Sequence, residues 1–446
     1  MIGCRESTTA AMQRHNVLLI VIDTLRADHL SSYAYARPTS RAIDALAARG
    51  VRFANAFATI SYTIPSHASL FTSAYPSFHG VGTRNGGSKL HVDQPTLAWV
   101  FQQAGYETAA FMSNPILRAD CGLDKGFDRY AADALVDAAG QPRERRASET
   151  AAAACQWLRG KHAAPFFLWV HLQDPHGAYV PPAPIKGTFH SPPTGKSLPI
   201  AADADGYQQI PRYQRLGNES DPAYYLDRYD EEIVYADQAV GTILQELAAQ
   251  HLDERTIVVL TADHGEALGE DDYYFCHGFT LGLEQIHVPL VFAVPGTAPR
   301  VMQDVVSLVD VMPTLLELTG LTIGEPLAGE SLAPALAGRP LRPSRTVFAE
   351  SLNQEAVVRY PFIVYRDRKD AADLTFHRAA KGKVRAMGVR WKALPGARVG
   401  GEPPLAELQQ TLDDFARMRA RSKRARNDIA ESKELLETLK ALGYAR

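Results

Sequence analysis

The 446-residue sequence has no apolar run approaching the roughly 20 residues needed to cross a bilayer, so no transmembrane segment is expected. It has little cysteine. Cys4, Cys121, Cys155 and Cys276 form no C-x-x-C pair and no zinc-finger spacing. Structural disulfides are not expected, and the redox compartment stays open. Net charge is small, −3, so no global field recruits nucleic acid or an acidic membrane. There are no internal repeats, and no low-complexity tract beyond short alanine runs. Met1-Ile2-Gly3-Cys4 reads like the end of a bacterial lipoprotein signal, but no basic and apolar regions come before it. As written the chain reads as cytoplasmic; a truncated signal would make it periplasmic or lipid-anchored.

What is present is an alternation. Residues 1–14 are polar and read as disordered. Asn16–Asp23 is a continuous apolar run ending in an acid, the signature of a strand buried on both faces. Thr108–Met112, Pro165–Val170, Thr256–Thr261 and Val288–Val294 repeat the pattern. Helical patterns lie between them at residues 40–49, Thr96–Gln103, Ser148–Leu158, Tyr224–Gln250 and Ser307–Thr319. Strands alternating with helices predict an α/β domain: a mostly parallel central sheet sandwiched by helices, over residues 15–340. Residues 177–223 break the rhythm with many prolines and read as a lid or irregular insertion bearing on substrate choice. From about residue 341 to 446, short strands near Arg345–Glu350, Pro361–Tyr365 and Val389–Leu394 predict a smaller antiparallel subdomain followed by a terminal helix.

The stretch Ser61–Thr72 contains Thr63-Ile64-Pro65-Ser66-His67. Pro65 suits a first helical turn, which puts Thr63 in N-cap territory beside the positive end of the helix dipole. On its own the stretch reads as a capped helix with an ordinary threonine. The ends of the apolar runs change its meaning. They deliver Asp23, then Ser113-Asn114, then His171, Gln173, Asp174 and His176, then Thr261, Asp263, His264 and Glu266. In open α/β sheets ligands bind outside the carboxyl ends of the strands, so these groups define one site. Asp23, Asp263 and His264 suit a divalent cation, although Asp263-His264 alone would also fit a helix N-cap and its first turn. Mn2+ or Zn2+ fits a carboxylate–imidazole set, and Ca2+ or Mg2+ a site richer in oxygen. Such a cation on the Thr63 oxygen would create a nucleophile. His67, one turn later, would orient the nucleophile or stabilise charge, or is a surface histidine.

The motifs Ile22-Asp23-Thr24-Leu25-Arg26-Ala27-Asp28-His29-Leu30, Thr63–Thr72, His79-Gly80-Val81, Asp174-Pro175-His176, Leu260–Glu270, His277-Gly278, Ile286–Val291 and Val309–Gly320 resemble, in order and spacing, the sulfatase family of the alkaline-phosphatase superfamily. The resemblance implies an alkaline-phosphatase-like fold and in-line attack on phosphorus or sulfur by a metal-held nucleophile, with water releasing the covalent intermediate. It implies one metal, held by Asp23, Thr63, Asp263 and His264. His67 takes the place of the family's arginine, and Asn85 and Asn114 contact non-bridging oxygens. His176 and His277 serve as leaving-group acid and oxyanion contact in either order, with His171 as competitor to His176.

The chain departs from that pattern at Thr63, which stands where sulfatases oxidise a Cys or Ser to formylglycine. It departs also at His67 and at Thr24, which replaces a second metal-binding aspartate. A threonine cannot become an aldehyde, so no formylglycine is expected. These departures predict hydrolysis of phosphate or phosphonate esters through a covalent Thr63 intermediate. The alternatives are a sulfatase acting without formylglycine, a transferase passing a phospho group to an alcohol, and a non-catalytic binding protein. The expected partner is a small-molecule, glycan or lipid ester.

Overall fold

The computed structural model describes residues 14–421 except 82–88, 92, 133–134, 137–141, 352, 369–388 and 400. Asn85, Cys4, nearly all of the N-terminal segment and the chain beyond residue 421 lie outside the described residues.

The main sheet contains β1 (Asn16–Ile22), β2 (Val51–Phe57), β3 (Glu107–Met112), β4 (Arg129–Ala131), β5 (Phe166–Leu172) and β6 (Thr256–Ala262). A small hairpin follows, β7 (Ala267–Leu268) and β8 (Tyr274–Cys276), and then β9 (His287–Ala293) and β10 (Arg300–Ser307) rejoin the main sheet. Its eight strands lie in the order β10-β2-β9-β6-β1-β5-β3-β4. β9 runs antiparallel to β2 and β6, and the other pairs are parallel. The expected mostly parallel sheet is therefore present, and its centre is the apolar β1. Every residue of β1 is buried because helices cover both faces. Helices Arg41–Arg49, Ala147–Leu158 and Pro222–Ala249 pack together as one layer, and Thr63–Thr72 packs with Leu97–Gln103 and Val311–Thr319 in the other.

Three strands of the main sheet escape the apolar-run criterion. β2 carries Arg52 and Asn55, β4 at one edge is three residues long, and β10 at the other edge is half-exposed to exposed from Arg300 to Asp304. An edge strand needs only one apolar face, and the polar residues of β2 interrupt its run, so none of the three reads as a continuous apolar run.

The C-terminal strands β11 (Val347–Glu350), β12 (Gln354–Arg359), β13 (Phe362–Asp367) and β14 (Val389–Ala393) form the expected antiparallel sheet, and the helix Leu405–Arg421 lays Leu408 and Leu412 against Val357 and Val364. This sheet is tied to the site. The Glu350 N–H donates to the Thr59 carbonyl at 2.8 Å, and the Glu350 carboxylate accepts from Ser77 on the far side of the Thr63 helix. A second tie is buried. Arg345 donates to Asp310 at 2.7 Å and to the Val305 carbonyl at 3.1 Å. Removing one partner of a buried ion pair leaves the other unpaired, at about 3–5 kcal/mol. Arg345→Met should therefore lower the melting temperature by several degrees in a thermal scan; an unchanged melt would show that this tie contributes nothing.

Candidate active site

Thr63 is the first residue of its helix, which runs to Thr72 with every residue buried. The N-cap is Tyr62, and no side chain caps the helix. Thr63 is therefore a helical residue and not the cap, and Pro65 stands in the first turn as expected. The threonine hydroxyl instead faces outward from the helix start, with Oγ1 3.3 Å from Nε2 of His264. Ser66 anchors the same turn, its Oγ donating to the Asp263 carbonyl at 2.6 Å.

Asp23 follows β1, and Asp263 and His264 follow β6, its neighbour in the sheet. Asp263 and His264 lie in an extended loop and begin no helix, so the N-cap alternative is also removed. Gly265 lets this loop run against its neighbour: a Cβ there would stand 2.2 Å from the Glu284 carbonyl oxygen. Asp23, Asp263 and His264 offer ligand atoms within 4.8 Å of one another, all buried. His264 Nε2 is 3.5 Å from Asp263 Oδ2 and 3.8 Å from Asp23 Oδ1. His264 Nδ1 lies 2.9 Å from the Gly265 carbonyl, which can only accept, so in the neutral ring the lone pair sits on Nε2. Asp23 Oδ1 and Asp263 Oδ2 have no hydrogen-bond partner although buried. Orphaned carboxylate oxygens converging with an imidazole lone pair fit a divalent cation.

The electrostatics agree with that fit. Burial raises the Asp263 carboxyl well above its usual range, and the adjacent Asp23 charge adds to the effect. Burial also opposes ionisation of Asp23, but the imidazoles of His171, His176 and His264 outweigh it and hold its carboxyl well below the usual range. Burial lowers His264 to about 3, with the neighbouring His277 adding to the shift. Two buried carboxyls side by side do not both ionise cheaply without a cation.

The remaining expected residues divide into two groups. His171, on β5, has Nε2 3.5 Å from Asp23 Oδ2, and its ring lies 5.0 Å from that of His67. His67 has Nδ1 2.8 Å from the Thr63 carbonyl and is fully buried, so it is not a surface histidine. Asn114 donates to Asp23 Oδ2 at 3.0 Å and accepts from the Ile116 N–H at 3.1 Å. On the other side, the rings of His176 and His277 lie 5.2 Å apart, and His277 lies 4.5 Å from His264. His171 contacts Asp23 and His67, while His176 contacts His277. Burial lowers His277 to about 3, with His176 adding to the shift. Asp174 accepts the Ala147 N–H at 2.8 Å and so fixes the turn that carries His176.

Glu266 stands among the strand-end groups read from sequence but without an assigned role, and Tyr179 and Tyr213 were not singled out there. Glu266 lies 3.0 Å from His277 Nδ1 and accepts from Tyr179 at 3.1 Å. Burial raises its carboxyl to about 7. Its place two residues after His264 was the available signal. Tyr179 and Tyr213 come from the irregular 177–223 stretch, where no periodicity marks them. Tyr213 lies 6.2 Å from the His176 ring in a stacked arrangement.

The sulfatase family model matches residues 15–321, the span that carries every one of these side chains except the outlying C-terminal ties. This chain belongs to the sulfatase family. Membership places it among ester hydrolases. The family chain is 25% identical over 375 residues to the Delta 4,5-hexuronate-2-O-sulfatase of Bacteroides thetaiotaomicron, covering 77% of this chain and 76% of that one. Its fold is similar to a putative sulfatase from the same organism, with a TM-score of 0.67, 22% identity and coverage of 95% and 96%. It is equally similar to the phosphonate monoester hydrolase of Silicibacter pomeroyi, with a TM-score of 0.67, 21% identity and coverage of 94% and 98%. These structural likenesses define the fold of this sulfatase-family protein, and its buried Asp–His cluster could bind a metal.

Proposed function

We propose that this sulfatase-family protein is a metal-dependent hydrolase that cleaves phosphate or phosphonate esters through a covalent Thr63 intermediate. The observation that carries the reading is the placement of Thr63 Oγ1, 3.3 Å from His264 Nε2, beside two carboxylates whose inward oxygens lack partners. Asp23, Asp263, His264 and Thr63 would hold one divalent cation, with Mn2+ or Zn2+ fitting the mixed donor set best. Bound there, it would supply Lewis acidity, favouring the threonine alkoxide and polarising a non-bridging oxygen of the substrate.

The protein's own groups do the rest. Thr63 Oγ attacks phosphorus in line, forming a Thr–O–P bond as the ester P–O bond breaks. The departing alkoxide leaves as the alcohol on a proton delivered by His176 or His277, whose rings lie 5.2 Å apart, and the proton given up by the Thr63 hydroxyl restores that imidazole. Glu266, on His277 Nδ1, orients that imidazole and its exchangeable proton. Water then attacks phosphorus and breaks the Thr–O–P bond, and one of its protons passes to Thr63, which leaves as the hydroxyl. Asn114 donates to Asp23 and so orients that carboxylate. His67 and His171 lie on the Thr63 and Asp23 side, away from the leaving group. Asn85 is proposed as a contact to a non-bridging oxygen by its place in the motif order. Tyr213 and the rest of residues 177–223 would line the leaving-group side and bear on substrate choice.

Chemistry at the nucleophile supports phosphorus over sulfur. Oxidising a threonine side chain gives a ketone, not the aldehyde whose hydrate can expel sulfate by elimination. A Thr63 ester must instead be released by attack of water at the central atom. A relative that is a hexuronate sulfatase by name keeps sulfate esters as the rival substrate class.

A metal-reconstituted comparison decides between them. With the same aryl leaving group, kcat/KM should be at least about 100-fold higher for a phosphate diester or phosphonate monoester than for the sulfate, a difference of about 2.7 kcal/mol in barrier. A preference for the sulfate would overturn the phospho reading. Added glycerol should leave free phosphate or phosphonate as the main product. A glycerol adduct in its place would make the protein a transferase.

A further inference from the structure

We propose that His67, His171 and Asp263 form a second cation site, distinct from the first and sharing Asp263 with it. The proposal rests on the cation set proposed above, because Asp263 is the bridge. The three residues come from three rigid elements: the Thr63 helix, β5 and the end of β6. Their ligand atoms lie within 4.8 Å of one another, and all three side chains are buried.

Each group has an unused donor atom. His67 Nδ1 is 2.8 Å from the Thr63 carbonyl, which can only accept, so Nδ1 carries the proton and the neutral ring has its lone pair on Nε2. That Nε2 is buried without a hydrogen-bond partner. This is how metal-binding imidazoles are held, with the other ring N–H given to a backbone carbonyl. His171 Nε2 faces Asp23 Oδ2 at 3.5 Å, and His171 Nδ1 is buried without a hydrogen-bond partner. Asp263 Oδ1 accepts the N–H groups of His264 at 2.8 Å and Thr24 at 3.3 Å, while Oδ2 accepts none. Oδ2 lies 3.5 Å from His264 Nε2, and it lies 3.7 Å from the His67 ring at its protonated Nδ1. It therefore faces both clusters.

A structural core histidine would normally satisfy its nitrogens. Here several orphaned atoms converge, with Trp169 packed 5.4 Å from the His67 ring behind them. Two imidazoles and one carboxylate select a borderline transition-metal dication such as Zn2+ or Mn2+. Ca2+ and Mg2+ prefer all-oxygen shells and should not fill it. The first set, with two carboxylates and a hydroxyl to one imidazole, accepts harder ions.

The test is metal stoichiometry on the full-length protein, reconstituted with Zn2+, desalted and measured by elemental analysis. Wild type should hold two equivalents per chain, and one when Ca2+ is the only ion supplied. His67→Ala and His171→Ala should each hold one Zn2+, as should His264→Ala. Mn2+ loading of wild type gives a readout that no variant's folding can disturb. Two ions sharing a carboxylate give an exchange-coupled EPR spectrum, whereas a single ion gives an isolated hyperfine sextet. One Zn2+ in wild type that survives His67→Ala and His171→Ala would overturn the second site and leave the first standing. One Zn2+ lost in both His67→Ala and His264→Ala would also overturn it, by showing a single enlarged site. No Zn2+ in wild type would overturn both readings.

Discussion

Replacing Thr63 by alanine should reduce turnover of the preferred phospho ester by at least about 10³-fold while the protein keeps its fold and its metal. The size follows from the role. A nucleophile that forms a covalent intermediate contributes far more than a binding contact, and its loss leaves only the residual catalysis of a positioned substrate and polar surroundings. The fold should survive. The hydroxyl caps nothing, and it stands 3.3 Å from His264 Nε2. Truncation of one buried threonine costs about 1 kcal/mol in a typical case. Asp23, Asp263 and His264 remain as ligands, so metal content by elemental analysis should stay near wild type. Thr63→Ser restores a hydroxyl at the same place and should recover measurable turnover. Rapid quenching of wild type with substrate should give a phosphorylated or phosphonylated peptide containing Thr63, absent from the alanine variant. Near wild-type rates in Thr63→Ala would sink the nucleophile assignment.

Asp263→Asn should abolish activity by a different route, through loss of the cation. Changes to groups that merely orient a metal ligand cost about 10–100-fold in affinity, so loss of a ligating carboxylate should cost at least about 100-fold. The substitution is mild on the fold, because an asparagine carbonyl can still accept the His264 and Thr24 N–H groups that Asp263 Oδ1 now accepts. It also removes a buried carboxyl that the Asp23 charge disfavours in its ionised form. The metal-free variant should therefore melt no lower than metal-free wild type. The contrast appears on adding metal. Wild type should gain about 2.7 kcal/mol at a free-metal concentration 100 times the dissociation constant, and the variant almost nothing at that concentration. A variant whose melt still rises with metal as in wild type would remove Asp263 from the ligand set.

Much of this arrangement is readable from the chain because parallel strands buried on both faces announce themselves as apolar runs. Asp23 follows β1, His171 and Leu172 end β5, and Asp263 follows β6, and the sheet order sets these three strands side by side. Their polar ends meet for that reason alone. The threonine was harder. A T-x-P motif signals a helix start, but the position of the hydroxyl depends on where the helix begins, and helix boundaries shift by a residue or two. β2, which leads towards Thr63, is hidden by Arg52 and Asn55, and β10 by its half-exposed pattern. Tyr179 and Tyr213 come from a stretch whose conformation is set by contacts with distant residues. Gly187 and Phe189 donate to Glu231, and Ser191 to Asp227, both carboxylates on the Pro222–Ala249 helix. Side chains on such a path have no local repeat to reveal them.

The place of β9 has a consequence for how the protein is made. Among the described residues, β2 pairs only with β9 and β10, which are translated more than 200 residues after it. During synthesis, β1, β3, β5 and β6 can assemble in order as they leave the ribosome. The segment from β2 through the Thr63 helix has no strand to join until residue 293 has emerged, and no outer neighbour until residue 307. A nascent chain that already displays Asp23, His171, Asp263 and His264 should therefore lack a docked Thr63. Ribosome-bound chains stalled before β9 should expose β2 to protease, and those stalled well beyond β10 should protect it.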